Sequence, residues 1–367
     1  MNAHISLISL YVVALALIAP QPAAADTAPT RPDTITRPAL AIRHVGNVAL
    51  LAVTAAGPRL VAVGERGVIA LSDDQGKTWR QAPSPVSVSL TAVRFVDARH
   101  GWAVGHRGIV LHTDDGGLRW TRQLDGNAIA ARMERYAQQL EQQQEQGPDS
   151  GAAQRQHAAA ARQMAADGAD KPLFDLFFRD PRNGIVIGAY GLALSTGDGG
   201  KSWQPIMDRL HNRRGLHLYA IAGAGARIYI AGEQGTFLRS RDGGASFEAV
   251  ATPYRGSYFA LAVRPSGAIV AAGLNGNAYR SADMGAQWHK VDIASRASLT
   301  AFAQGDDARL LLANQVGQVF ASSDDGETFA AAGAARAPLS GLASGGGVLT
   351  GVGLMGAVAV AAPTQQQ

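Results

Sequence analysis

The stretch SDDQGKTW at residues 72–79 returns five more times along this chain of 367 residues. The copies are TDDGGLRW at 113–120, TGDGGKSW at 196–203, SRDGGASF at 240–247, SADMGAQW at 281–288 and SSDDGETF at 322–329. Their closing aromatics fall at 79, 120, 203, 247, 288 and 329, so three of the five steps are 41 residues and one is 44. The step of 83 holds two units of length, or one unit and a large insertion. A fixed period of this size marks a stacked or circular array. Within each copy, Ser or Thr and Asp can bond the nearby backbone, and Gly supplies the positive φ of a tight hairpin. The terminal Trp or Phe opens the next strand and can bury a ring between neighbouring sheets.

Around the second copy, residues 90–96 (LTAVRFV), 101–106 (GWAVGH), 108–113 (GIVLHT) and 119–123 (RWTRQ) read as four short strands joined by turns. That is the pattern of one propeller blade, from inner to outer edge. The turn between the second and third strands recurs as GERG (64–67), GHRG (105–108), GAYG (188–191), GEQG (232–235) and GLNG (273–276), and is continued by 314–317 and 353–356. No Lys-Ser/Thr follows these glycines and no helix opens there, so they are hairpin turns and not phosphate loops. The last stretch, 339–361, supplies three strands and no box, and 39–45 supplies one surplus strand. The expectation is an all-β, seven-bladed β-propeller whose N-terminal strand completes the last blade and closes the ring, leaving no sheet edge exposed.

Between the second and third blades, about residues 124–170, the pattern breaks. Two segments rich in Ala, Gln, Arg and Glu flank Gly147-Pro148, which predicts a helical hairpin with a thin apolar stripe of Ile129, Met133, Tyr136 and Leu140. At the N-terminus an apolar run is followed by Ala23-Ala24-Ala25, which reads as a secretory signal over residues 1–25. Residues 26–38 then form an extended lead-in, 39–361 the propeller, and 362–367 a disordered tail. The mature chain is expected to be periplasmic, with secretion as the alternative, to lack a membrane span and to be a monomer. With no cysteine, disulfides, zinc–thiolate sites and cysteine nucleophiles are excluded. A net charge of +4 is too small to argue for nucleic acid.

The repeated stretch resembles the aspartate box of bacterial-neuraminidase-type repeats. Asp74, Asp115, Asp198, Asp242, Asp283 and Asp324 are therefore expected to be structural, with no metal and no cofactor. Taken together, the period, the boxes, the G-x-x-G turns and the strand exchange over about residues 40–361 resemble the photosystem II stability/assembly factor family. That resemblance implies a seven-bladed propeller that is not an enzyme and acts as an assembly chaperone for a membrane protein. Members in non-photosynthetic bacteria are linked with exporters of the resistance-nodulation-division type. The G-x-x-G turns and the connections between blades share one face, opposite the boxes. Arg66, Arg107, Arg209, Arg213, Arg214, Arg255, Arg296 and Arg336 fall on that face or beside it. Planar guanidinium forks suit carboxylates and interfaces, so these eight are the candidate partner-binding residues. The rival expectation is a sialidase-like glycoside hydrolase, for which Tyr190, Tyr219 or Tyr254 and the carboxylates Glu65, Asp208, Glu233 and Asp292 are the available groups.

Overall fold

The computed structural model describes residues 33–144 and 151–361. The expected signal, the first part of the lead-in and the tail lie outside the described residues. Seven antiparallel sheets form seven blades, six of four strands and one of three. Blade 2 is typical, with strands Leu90–Phe95, Gly101–Gly105, Val110–Thr113 and Thr121–Leu124 from the inner to the outer edge. Every residue of Gly101–Gly105 is buried, whereas Thr121 and Arg122 on the outer strand are exposed. Middle strands covered on both faces read as continuous apolar runs, and only the rim alternates. An apolar cluster fills each seam between successive blades, so the core is a ring of sheet-on-sheet contacts.

The strand expected at 39–45 does not form, and the last blade keeps three strands, Gly341–Gly345, Val348–Gly353 and Gly356–Ala359. Side-chain anchors route the N-terminal segment over blade 1 instead. Ile35 is wholly buried in the seam of blades 1 and 2. The Ile42 amide donates to Gln81 Oε1 at 2.8 Å, Gln81 Nε2 donates to the Leu40 carbonyl at 2.9 Å, and Val45 buries in the seam of blades 7 and 1. The last described residue goes elsewhere too: Ala361 pairs with Ala334 of blade 6. The ring closes through that apolar seam and through Ser340 Oγ, which donates to the Leu50 carbonyl at 3.0 Å.

The boxes are turn clasps. In the fourth, Ser240 Oγ donates to Asp242 Oδ1 (2.7 Å) and accepts from the Gly244 amide (2.8 Å). The Ser246 amide and hydroxyl donate to the two carboxylate oxygens at 3.0 and 2.6 Å. The same clasp holds at the other five boxes, with Arg119 and Gln287 giving only their amides. The hydroxyls of Thr78, Ser202 and Ser246 hold Asp74, Asp198 and Asp242 down at about 2. Burial opposes the same effect at Asp324, where Thr328 still holds the carboxyl at about 2. A carboxyl depressed in the folded state adds stability above its unfolded pKa of about 3.9 and forfeits it as the pH falls through the folded value. The melting temperature is therefore expected to be steady above about pH 5 and to drop steeply between about pH 4 and 2. A melting temperature unchanged from pH 5 to pH 2.5 would contradict this role for the clasps.

The insertion is a helical hairpin, α1 (Gly126–Gln144) and α2 (Gly151–Ala166). The expected stripe is the packed one: Ile129, Met133, Tyr136 and Leu140 are buried together with Ala158, Ala161 and Met164 of α2 in the core of blades 2 and 3. Arg162 of α2 joins Glu134 and Glu141 of α1. Tyr136 Oη donates to Asp208 Oδ1 at 2.7 Å and accepts from the Asp208 amide at 2.9 Å, tying α1 to blade 3. No described helix is long and apolar enough to cross a membrane.

Candidate partner-binding site

Each of the first six blades begins with a β-bulge. Pairing of the inner strand to its neighbour skips one residue: Leu51, Thr91, Phe174, Tyr219, Phe259 and Thr300 in turn. A bulge re-aims its extra side chain, and these six, with Ser340 of blade 7, line the upper part of the central channel. Apart from Leu51, the ring they form has two sectors. Thr91, Thr300 and Ser340 spend their hydroxyls on backbone carbonyls, Thr91 on Leu173 of the next blade at 2.7 Å. Phe174, Tyr219 and Phe259 form an unbroken aromatic arc over blades 3–5, with Tyr219 5.5 Å from each of the other two rings. Beneath the arc, Asp175 accepts from the amides of Leu176 and Ile221 and faces Arg94 at 3.5 Å. Burial pushes the Asp175 carboxyl up, against the pull of Arg94.

The arc continues onto the G-x-x-G face. His217 lies 6.0 Å from Tyr219, and Tyr190 lies 4.9 Å from His217. His217 Nδ1 accepts from the Tyr190 amide at 2.9 Å, which requires an unprotonated Nδ1. Tyr190 sits in the blade 3 turn at φ +57° and is 54% exposed, with the Lys171 ammonium 5.5 Å above its ring. A bulky residue in the left-handed region costs about 1 kcal/mol or more, and such positions cluster where side chains must be presented. Among the described residues, most of the large exposed apolar side chains sit in equivalent turns: Tyr190, Leu274, Val316, Leu354 and Met355.

Three of the predicted arginines, Arg213, Arg214 and Arg255, lie in exposed loops beside this arc. Asn212 clasps its own loop, donating from Nδ2 to the Leu216 carbonyl (2.9 Å) and accepting the Leu216 amide (3.1 Å), so that Arg213 and Arg214 face outward. Gln156 of α2 steadies the loop by donating to the Arg213 carbonyl at 2.9 Å. Arg214 Nη2 reaches Gln234 Oε1 in the blade 4 turn at 2.6 Å, and the backbone of Tyr254 and Arg255 passes close to Gly235 of the same turn. None of these three makes an ion pair among the described residues.

The other five predicted arginines are not part of this cluster. Arg107 is committed to structure, since Nη1 and Nη2 donate to the Asp33 carboxylate at 2.7 and 3.2 Å. Arg209 lines clefts at the rim of blade 3, one against α1 and one beside box residues Asp242 and Gly243. Arg66, Arg296 and Arg336 are exposed at blade 1, after blade 5 and after blade 6. The carboxylates considered for hydrolysis are scattered over blades 1, 3, 4 and 5: Asp208 is held by Tyr136, and Glu233 accepts the His217 amide at 3.1 Å. Among the described residues no three His, Asp or Glu side chains converge on an ion site.

Residues 71–142 and 154–290 match the sequence profile of the family described as Photosynthesis system II assembly factor YCF48. No curated protein matches the chain. In structure the chain is similar to "YCF48 bound to D1 peptide", with a TM-score of 0.59 and 15% identity over 89% of this chain and 100% of that one. It is also similar to YCF48 from Cyanidioschyzon merolae, with a TM-score of 0.58 and 14% identity over 87% of this chain and 97% of that one. An ancestral GH74 enzyme gives a TM-score of 0.62 and 11% identity, over 88% of this chain but only 48% of the enzyme. At these identities the structural likenesses speak for the fold, while the profile match spans more than half of the residues. The chain belongs to the Photosynthesis system II assembly factor YCF48 family.

Proposed function

We propose that this protein is a non-enzymatic, exported scaffold of the periplasm that binds a protein partner and aids assembly or stabilisation of a membrane protein or exporter complex. The observation that carries the reading is that Arg213, Arg214 and Arg255 stand exposed in the two loops beside the blade 4 turn, with no ion pair to any of them among the described residues. Unpaired guanidiniums on a loop-rich face are poised for an acidic or carboxylate-bearing surface. A solved relative, YCF48, is bound to a peptide of D1, which supports peptide recognition as the mode of action. The export signal read at residues 1–25 supports the location.

The test is affinity capture of the tagged mature protein from detergent-solubilised native membranes. A triple variant, Arg213→Glu, Arg214→Glu and Arg255→Glu, is expected to retain at most about a tenth of the wild-type yield of one membrane protein, since reversal turns attraction into repulsion. Arg209→Glu, at the rim, is expected to retain it. Equal capture by wild type and triple variant would reject the basic face as the docking surface.

A further inference from the structure

We infer that the mouth of the central channel is a receptor for one aromatic side chain of an extended partner segment whose neighbouring residues are acidic. The inference rests on the scaffold reading and adds to it the specificity-determining feature of the ligand.

Three observations carry it. The first is the break in the repeat: the channel-facing residue is Leu51 in blade 1, Thr in blades 2 and 6 and Ser340 in blade 7, whereas blades 3–5 place Phe174, Tyr219 and Phe259 side by side. The Thr and Ser hydroxyls stitch backbone carbonyls, a bond that neither phenylalanine can make. Three adjacent rings are a run that the other four channel positions do not repeat. All three rings stay partly exposed, and aromatic pairs prefer offset or edge-to-face contacts, which leaves a ring-lined wall open to a further ring.

The second is size. The channel holds a cavity of about 160 Å3, open to solvent at its mouth. A cavity of about 150 Å3 takes one benzene, whereas pockets for drug-sized ligands run from about 300 Å3 upward. One ring fits, and a saccharide of several units does not.

The third is charge. The exposed loops that carry Arg213, Arg214 and Arg255 flank the blade 3 and blade 4 turns, at the outer end of the ring series formed by Tyr190, His217 and Tyr219. A chain with its aromatic residue in the channel would carry the flanking residues past these guanidiniums, and carboxylates are what they accept bidentately. Tyr190, exposed beside the same series, would cover the peptide where it leaves the mouth.

The experiment uses the whole protein and two short fluorescein-labelled peptides, read by fluorescence anisotropy. One peptide carries a single phenylalanine flanked by aspartates, and the other carries alanine in its place. Wild type is expected to bind the phenylalanine peptide about tenfold or more tightly than the alanine peptide, the weight of a buried aromatic anchor. The double variant Tyr219→Thr, Phe259→Thr installs the residue that blades 2 and 6 carry, and is expected to bind both peptides alike at the weaker level. Tyr190→Gly, which removes a left-handed strain, is expected to keep the melting temperature and weaken the phenylalanine peptide several-fold. Equal binding of the two peptides by wild type would overturn the inference. So would retained preference in the double variant, or displacement of the phenylalanine peptide by a neutral oligosaccharide. If both peptides bind wild type alike and lose affinity in the triple arginine variant, the aromatic receptor falls and the scaffold reading stands. If neither charge nor ring matters, both fall.

Discussion

Trp102→Ala is expected to destabilise the propeller by about 3–5 kcal/mol, at the upper end for a single core truncation. Trp102 is completely buried in the second strand of blade 2. Its ring stacks on Phe178 of blade 3 with centroids 3.6 Å apart and planes 9° from parallel, and Phe178 in turn meets Trp203 edge-on at 6.1 Å. The seam is the one on which α1 also sits, so the void would open beneath both a blade contact and the helical hairpin. For a domain of this length the shift is about 4–7 °C in melting temperature. Trp102→Phe is expected to cost less, about 1–2 kcal/mol, because it keeps a ring in the stack and removes an indole N–H that is buried without an acceptor among the described residues. Thermal unfolding of the two variants beside wild type decides the matter. A loss below 1 °C for Trp102→Ala would mean that the seam of blades 2 and 3 does not hold the ring together.

The repeat was legible because its physics is local. Ser72, Asp74, Gly76 and Trp79 bond one another within eight residues, so the clasp must appear as a fixed string. The helical hairpin was equally legible from its composition, and its stripe of Ile129, Met133, Tyr136 and Leu140 named the buried face. The ring closure was misread for a physical reason. The apolar character of residues 39–45 fits a strand, yet the path of that segment is set by distant partners: Gln81 holds its backbone, and Asp33 is held by Arg107. Those partners cannot be read from the segment itself.

The binding site was legible in part. Sequence placed eight arginines on or near one face but could not tell a free guanidinium from a committed one, and Arg107 is committed to Asp33. Nor could it show that Arg209 turns to the rim while Arg213 and Arg214 are held beside the blade 4 turn by Asn212 and Gln234. The aromatic arc was missed because its positions are bulges, where the side-chain alternation of a strand slips by one residue. Aligning the seven blade starts would have exposed the signal: Leu51, Thr91, Phe174, Tyr219, Phe259, Thr300 and Ser340 fall one residue after the first buried apolar residue of each inner strand.

Gly188→Ala is the second substitution expected to have a large effect, and it links the scaffold to the site. The backbone at Gly188 is extended (φ −166°), a conformation open to any residue, so strain is not the reason for glycine there. Close approach is the reason. A Cβ on Gly188 would lie 2.2 Å from the Pro172 carbonyl oxygen and 2.9 Å from Leu173 Cα. Both are backbone atoms at the start of the blade 3 inner strand, and Leu173 is completely buried, so neither can yield cheaply. Blade 6 carries Asn314 at this position, but the Asn side chain makes four hydrogen bonds of its own there, which alanine cannot copy. The expected cost is about 2–4 kcal/mol. Gly347→Ala, at φ +81° with no atom within 4 Å of the added carbon, is the control and should cost only about 1 kcal/mol. Displacing the inner strand also moves Phe174, while the turn that begins at Gly188 carries Tyr190. Gly188→Ala should therefore erase the preference for the phenylalanine peptide even at temperatures where the protein remains folded, and Gly347→Ala should leave it intact. Wild-type stability in Gly188→Ala would show that the blade start can retreat, and the rigidity on which the aromatic mouth depends would then be absent.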